Sequence, residues 1–494
     1  MSKTFTLPAN FNRLYYSLGV LMLLGALDTS IVSTALPNIL ADFGGTENIS
    51  WILVGYSLAT ATALPIFGKL VDKFGSAKLF GWAVGIFLGA SLLCGLAPNL
   101  PFLTFARALQ GLGGAGVGML PMTIITSMLP ERYRPKYLAP IGAVWAIATI
   151  AGPIVGGLLT AAVGWRWVFF INLPIGLVAI LLVSQVLPKN ENLKPGKLFD
   201  PSTLVLFILA SSLLIFSLNG FTAALTKDVT SAIPLILLAL VAMAAFIWRT
   251  LKSSNPIIPI RSFSSRGSIT ALIISALSGA NLFAMAGYIP SLLQTAYGVP
   301  GWLSGMSLAP LVLAMLVVSI ITTRRVGRTG SYTKLPVIGS SISGTGMLLA
   351  YLFGAHLGPL FIVFCLVLGG IGLGCYVQLN LTLTQAYSKA EFLGSITSTF
   401  SVVRDISGSI VSTIAGGIFG FGVVSLLAKL TLPSGLTVNG LSPSAIAGLS
   451  QPLRSQVQQA YSDAFHPIFL NSALAYLVIF VLALTLPKIQ LKSH

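Results

Sequence analysis

The sequence predicts an all-α integral membrane protein, and three observations carry the prediction. Hydrophobic residues fill 55% of the 494 positions and charged residues only 8%, against roughly 25% charged in a soluble domain. The mean hydropathy is +0.92. Fourteen mostly apolar stretches, each near the roughly 20 residues that a helix needs to cross the hydrocarbon core, follow one another along the chain. So few charges cannot clothe a water-facing surface. The composition therefore excludes a soluble enzyme, a disordered chain, a disulfide scaffold and an ordinary nucleic-acid binder.

In chain order the expected spans are 14–34, 50–70, 79–97, 101–122, 138–161, 168–187, 202–220, 232–250, 267–292, 304–322, 334–354, 359–385, 395–424 and 467–486. The first is long enough to cross and carries Asp28 in its apolar run, so it reads as a membrane helix rather than a cleaved signal. Basic residues test the count. With both termini placed in the cytoplasm, 22 Lys and Arg fall on the inner side and 4 on the outer, leaving Arg107 and Arg404 inside spans. That asymmetry follows the positive-inside rule and gives the net charge of +17 a topological meaning. The stretch 425–466 is rich in Ser, Pro, Gly and Leu and is expected as a long outer loop, partly helical near 452–464. It is either plain surface or a docking place for an extracytoplasmic accessory protein.

Cys94, Cys365 and Cys375 lie in apolar runs and read as small core residues. His356, His466 and His494 stand near loops or the terminus and offer no metal cluster. No cofactor or metal is expected, and no nucleophile with a base that would make an enzyme.

Charge inside lipid is costly and marks function. Of the eleven acids, Asp28 and Asp405 fall well within spans. At 1.5 Å per residue, Asp28 stands about 21 Å along a helix that enters from inside, and Arg107 about 9 Å along one that enters from outside. In a core about 30 Å thick the two share a depth, so they are candidates either for proton coupling or for a plain salt bridge between helices. Arg404 and Asp405 occupy the thirteenth span and are further candidates for proton coupling, with Asp405 the second candidate proton carrier. Neighbours on a helix diverge by about 100°, so one is expected to line a cavity and the other to pair with a different helix. Tyr56, Gln110, Trp145, Asn281, Gln294, Gln378 and Asn380 are candidates for sparse polar anchors in an apolar cavity, each with the alternative of an interhelical hydrogen bond.

Gly111-Leu112-Gly113-Gly114-Ala115-Gly116, Gly152-Pro153-Ile154-Val155-Gly156-Gly157 and Gly369-Gly370-Ile371-Gly372-Leu373-Gly374 lie inside spans, where small residues let helices approach. Gly68-Lys69-Leu70-Val71-Asp72-Lys73-Phe74-Gly75 joins the second and third spans, and Leu103-x-x-x-Arg107-x-x-Gln110-Gly111 opens the fourth. Together these closely resemble the major facilitator superfamily. Leu27-Asp28-Thr29-Ser30-Ile31-Val32-Ser33-Thr34-Ala35-Leu36-Pro37, Phe169-Phe170-Ile171-Asn172-Leu173-Pro174-Ile175-Gly176, Asn255-Pro256-Ile257-Ile258-Pro259 and Arg404-x-x-x-Gly408-Ser409 resemble its fourteen-span drug/proton antiporters. The loop lacks a basic pair after Gly75, where Ser76 and Ala77 stand, and Ala139 and Ala148 replace two glycines of the fifth-span pattern.

The resemblance implies a major facilitator fold. Residues 1–197 would form a six-helix bundle, 198–260 two inserted spans, and 261–494 a second six-helix bundle, related as parallel repeats. It implies gating by Gly68, Asp72 and Gly75, with Arg132 or Arg134 as partners of Asp72, and by Gly152, Pro153, Gly156 and Gly157. It implies proton coupling through Arg107. The expected function is proton-coupled antiport that exports amphipathic or cationic small molecules. The protein is expected as a monomer in a lipid bilayer, in the bacterial cytoplasmic membrane, with protons as coupling ion and no nucleic-acid partner. Export of a lipid, siderophore or metabolite on the same scaffold is the alternative, and a non-transporting receptor or scaffold the remote one.

Overall fold

The computed structural model describes residues 10–43, 50–184, 200–224, 233–263, 265–387, 392–430 and 446–487. The side chains of Trp145 and Pro153 lie outside the described set. Among the described residues there is no strand. The helices are α1 (Phe11–Phe43), α2 (Ser50–Phe74), α3 (Ser76–Gly95), α4 (Leu100–Met128), α5 (Arg134–Val163), α6 (Trp167–Phe170), α7 (Asn172–Ser184), α8 (Pro201–Ala224) and α9 (Ile233–Lys252). They continue with α10 (Arg266–Thr295), α11 (Gly301–Met306), α12 (Ala309–Thr329), α13 (Lys334–Leu357), α14 (Pro359–Ala386), α15 (Leu393–Leu427) and α16 (Leu453–Leu484).

Eleven helices among the described residues are long and apolar enough to cross a membrane. Three further apolar helical stretches, Ile154–Val163, Trp167–Val183 and Pro201–Ser217, are shorter. Their outward faces carry Leu, Val, Ile, Phe and Trp, as in Trp82, Leu158, Val241 and Leu360. A soluble protein would hide such residues; lipid solvates them.

One packing plan is used twice. In the first half α1 lies on α5, α2 and α3 on α4, and α7 on α1 and α3. In the second half α10 lies on α15, α12 and α13 on α14, and α16 on α10 and α13. The halves meet reciprocally, α2 against α15 and α5 against α12. An apolar core cluster gathers Phe67, Val71 and Ile124 of the first half with Leu381, Phe400 and Val402 of the second. The other core clusters stay within one half. The shared core lies toward the end of the molecule where Lys69, Lys73, Lys78, Arg132 and Arg134 collect, here called the basic end.

The crossing of α2 and α15 requires glycine. A Cβ on Gly68 would run into the Ser398 side chain, and one on Gly394 would meet Asp72 Oδ1 and Gly68 O, each at 2.7 Å. Gly75, with φ of 82°, makes the tight turn between α2 and α3 that a side chain would strain.

The α8–α9 pair packs through α8 against both α2 and α15. Asp200 fastens its base. Its Oδ1 accepts from Ser202 N at 3.0 Å and from Ser202 Oγ at 2.7 Å, while its Oδ2 accepts from Ser253 Oγ at 2.9 Å and pairs with Arg249 Nη2 at 2.7 Å.

The stretch 425–466 is helical at both ends, including the helix expected near 452–464. α15 runs on to Leu427 and α16 begins at Leu453, continuous through Pro467 with the last span. Residues 431–445 lie outside the described set. The continuity of α16 with the last span was not expected, because its first turns are amphipathic rather than uniformly apolar. Val457, Ala460, Tyr461, Ala464 and Phe465 are buried, at helical spacing, while Ser455, Gln456 and Gln459 face outward.

Candidate functional site

The densest polar cluster lies inside the first half, at the contact of α1, α3, α4 and α7. Asp28 is 1% exposed and Arg107 fully buried. Arg107 Nη1 donates to Asp28 Oδ2 at 2.6 Å and to Gln110 Oε1 at 2.6 Å. Gln110 Nε2 donates to Asp28 Oδ1 at 2.8 Å and to Ser91 Oγ at 2.7 Å. Asn172 Nδ2 reaches the same Asp28 Oδ1 at 2.8 Å and Ser91 Oγ at 3.2 Å. The Arg107 guanidinium lies 4.2 Å from the Tyr56 ring centre and 5.8 Å from that of Phe169.

The local reasons are legible. Arg107 and Gln110 stand three apart on α4 and so share a face. Gly111, Gly113 and Gly114 bring that face against α2 and α3: a Cβ on Gly113 would meet Ala83 O at 2.8 Å and also strike Phe87 N, and one on Gly114 would meet the Tyr56 ring at 3.0 Å. Asn172 opens α7 just after the turn at Ile171, where the sixth apolar stretch breaks into α6 and α7. Pro174 contributes to that break, since it has no N–H to give back to the preceding turn.

A buried ion pair survives only with good geometry and further hydrogen bonds, because the desolvation cost of each charge is several kcal/mol. Asp28 has three donors. Arg107 has two acceptors and an aromatic face, although its Nε has no hydrogen-bond partner among the described residues. The site is thus an isolated carboxylate and its counter-ion, sealed from both water and lipid.

The basic end carries two contacts between the halves. Asp72 of α2 accepts from Gly394 N at 2.8 Å and Ser395 N at 3.0 Å, and from the Ser395 hydroxyl. These are first-turn amides of α15, whose own N-cap residue, Phe392, makes no side-chain cap. Asp72 therefore caps α15 from the other half, an anion at the positive pole of a helix. Lys69 lies 5.5 Å over the Phe392 ring. At the second contact Arg132 Nε donates to Gly327 O at 2.6 Å and Nη2 to Arg328 O, the last carbonyls of α12. Neither Arg132 nor Arg134 pairs with Asp72, contrary to expectation. Arg134 turns back to Leu129 O at 3.0 Å on its own loop. Helix ends supply the partners instead, because unpaired backbone amides and carbonyls concentrate there.

The remaining expected residues do not assemble into one cavity. Tyr56 and Gln110 belong to the Asp28 cluster. Asn281 is buried and donates to Leu277 O of its own helix. Gln294 borders a cavity of about 190 Å³ with Arg454 and Gln458. Gln378 is half-buried on α14, and Asn380 is fully buried with no partner for either amide atom among the described residues. Trp145 and Pro153 lie outside the described side chains. Gly152 faces Ser30 with no room for a Cβ, Gly156 is buried and Gly157 faces open space.

Arg404 and Asp405 do not split between a cavity and a neighbouring helix. Arg404 Nε folds back to Asp405 Oδ1 at 3.1 Å, with the side chains 30% and 36% exposed. The flexible guanidinium stem crosses the angle that separates adjacent positions. Asn172 and Ser91 were not among the expected site residues. Asn172 stood within a quoted motif, and an amide in an apolar run was the available signal. Ser91 looked like any small residue at a helix contact.

Against this geometry, comparison with known proteins is consistent throughout. The sequence model of the Major Facilitator Superfamily matches residues 18–413, and the chain belongs to that superfamily. The multidrug transporter protein MdtP of Bacillus subtilis is 28% identical over 96% of this chain and 92% of its own. The efflux pump dotC of Dothistroma septosporum is 33% identical over 92% of this chain and 80% of its own. The human organic anion transporter MFSD10 shares the fold, with a TM-score of 0.64 at 13% identity over 96% of this chain and all of its own.

Proposed function

We propose that this superfamily transporter exports amphipathic or cationic small molecules in exchange for protons, with Asp28 as the proton carrier and Arg107 as its counter-ion. The observation that carries the reading is the sealed cluster: one carboxylate, buried at mid-helix, satisfied by one arginine and two amides. Relatives named as a multidrug transporter and an efflux pump support the substrate class. We place the fourteen stretches as spans, two six-helix bundles flanking the α8–α9 pair, with the basic end in a bacterial cytoplasm.

In that orientation the shared apolar core and the Asp72 and Arg132 contacts close the cytoplasmic side, so the present form is closed to the cytoplasm. Protonation of Asp28 removes the charge that Arg107 balances. The arginine then has to find other acceptors, and its helix, α4, packs on both α2 and α15, which form the closing contact. Exchange follows only when proton and substrate favour different forms of this contact; equal affinity for both would shift nothing.

The test is flux in proteoliposomes with ethidium, an amphipathic monovalent cation, under an imposed pH gradient. The native protein should exchange ethidium for protons, and Asp28→Asn, compared at an equal amount of folded, reconstituted protein, should lose that exchange. Proton-driven ethidium flux at the native rate in Asp28→Asn would remove Asp28 from the mechanism.

A further inference from the structure

Two amides donate to the same oxygen of Asp28, and their circumstances differ. Gln110 is committed on both sides. Its oxygen accepts from Arg107 Nη1, and Cys94 Sγ also lies 3.6 Å from that oxygen. Turning it over would set an N–H against the guanidinium. Removing it would strip Arg107 of an acceptor as well as Asp28 of a donor. Asn172 hydrogen-bonds through its side chain only to Asp28 and Ser91 among the described residues, both through Nδ2, and makes no hydrogen bond to Arg107. It also stands on the first residue of α7, just after the turn at Ile171 that separates α6 from α7.

We propose that Asn172 is a positioning residue of the Asp28 site: by donating from the start of α7 to Oδ1, it holds the Asp28 carboxyl in place beside Arg107 and tunes its exchange of a proton. This rests on Asp28 being the proton carrier. The sign follows from the donor. A hydrogen bond to the charged form favours that form, so its loss makes the proton easier to bind. Ser91, which accepts from both amides and itself donates to Phe87 O at 2.8 Å, keeps Asn172 aimed at Asp28 rather than rotating with it. The arginine pair and the Gln110 bond stay in place when Asn172 is changed, so the effect is confined to one donor.

The experiment is an infrared pH titration of the purified full chain in lipid nanodiscs, labelled with carbon-13 aspartate. The native spectrum minus that of Asp28→Asn isolates the Asp28 carboxyl band. Asn172→Leu and the smaller Asn172→Ser, whose hydroxyl is too short to reach, should both move the midpoint of that band upward by about one pH unit, the scale of one hydrogen bond to a charged group. A midpoint unchanged or lowered in whichever variant folds, with the Asp28 band present, overturns the role of Asn172 and leaves Asp28 as carrier. No Asp28 band at any pH in the native protein overturns the carrier reading and this inference with it. A purely structural asparagine would change thermal stability and leave the midpoint where it was.

Discussion

The two halves share a packing plan but not a charge. Their registers are fixed by the glycines of α4 and α14. Gly111 meets the carbonyl of Tyr56, and Gly370 that of Leu311; Gly113 fits against Ala83 and Phe87, and Gly372 against Gly339 and Ser343. Carrying that register along the helices sets Leu366 at the place of Arg107, Gly369 at that of Gln110, Met347 at that of Ser91 and Leu311 at that of Tyr56. Gly152 against Ser30 and Gly408 against Phe283 likewise set Asn281 at the place of Asp28. These five members of the cluster all have uncharged counterparts, and Leu311, Met347, Leu366 and Asn281 are all buried. The acid and the arginine were kept together in one half and are absent together from the other. Physics makes these the two tolerable states, because a buried charge whose partner is removed is left uncompensated.

That contrast sets the largest expected effect. Asp28→Asn alone should strand Arg107, and Arg107→Leu alone should strand Asp28, each costing about 3–5 kcal/mol. The double variant copies the second half and should recover most of that loss while transport stays absent. Thermal unfolding in detergent, read as a double-mutant cycle, checks it. Additive losses would mean that the pair is not coupled and that the comparison between halves teaches nothing about charge.

A smaller effect is expected at the charges the second half does hold. Arg404 and Asp405 are about one-third exposed and pair within one helix, so neither charge is wholly desolvated and Asp405→Asn should cost clearly less stability than Asp28→Asn. The same unfolding measurement decides. A loss as large as that of Asp28→Asn would make the two sites equivalent and erase the distinction drawn here.

The smallest effect sharpens the contrast at the end opposite the basic loops. Asp42 accepts from Trp165 Nε1 at 2.8 Å and Arg166 Nη1 at 2.9 Å. The Trp165 hydrogen bond first, and then Arg166, hold its carboxyl below the ordinary value of 3.8. A depressed carboxylate stabilises the fold above its unfolded value and loses that contribution as pH falls through the folded one. Asp42→Asn should therefore lower the melting temperature slightly at neutral pH, with the difference fading at pH values below 3.8. A difference that instead grew on acidification would reverse the sign and discard this tie.

Much of the site was legible because its chemistry is expensive. Asp28 and Arg107 stood out as charges in apolar runs, and their depths, counted at the rise of a helix, agreed before any contact was known. Gly68, Asp72 and Gly75 stood out as a loop pattern. What escaped was whatever had an inexpensive alternative. Asn172 and Ser91 are ordinary at helix contacts, and nothing along the chain says that a break after α6 turns one of them toward Asp28. Asp72 was matched with arginines because side chains are visible in a sequence, whereas the free amides that open α15 are not.

The sequence by itself determined the all-helical membrane class, the family, most of the spans and the existence of a buried acid and base. These follow from composition, from apolar run length and from the cost of charge in lipid, all of which are local. The tertiary structure alone decided which groups share the acid, which helix ends close the basic face and that Arg404 satisfies Asp405. The first two depend on residues as much as 323 positions apart meeting within hydrogen-bond distance, and the third on the rotamer of one flexible side chain; each is set by packing that no stretch of sequence contains.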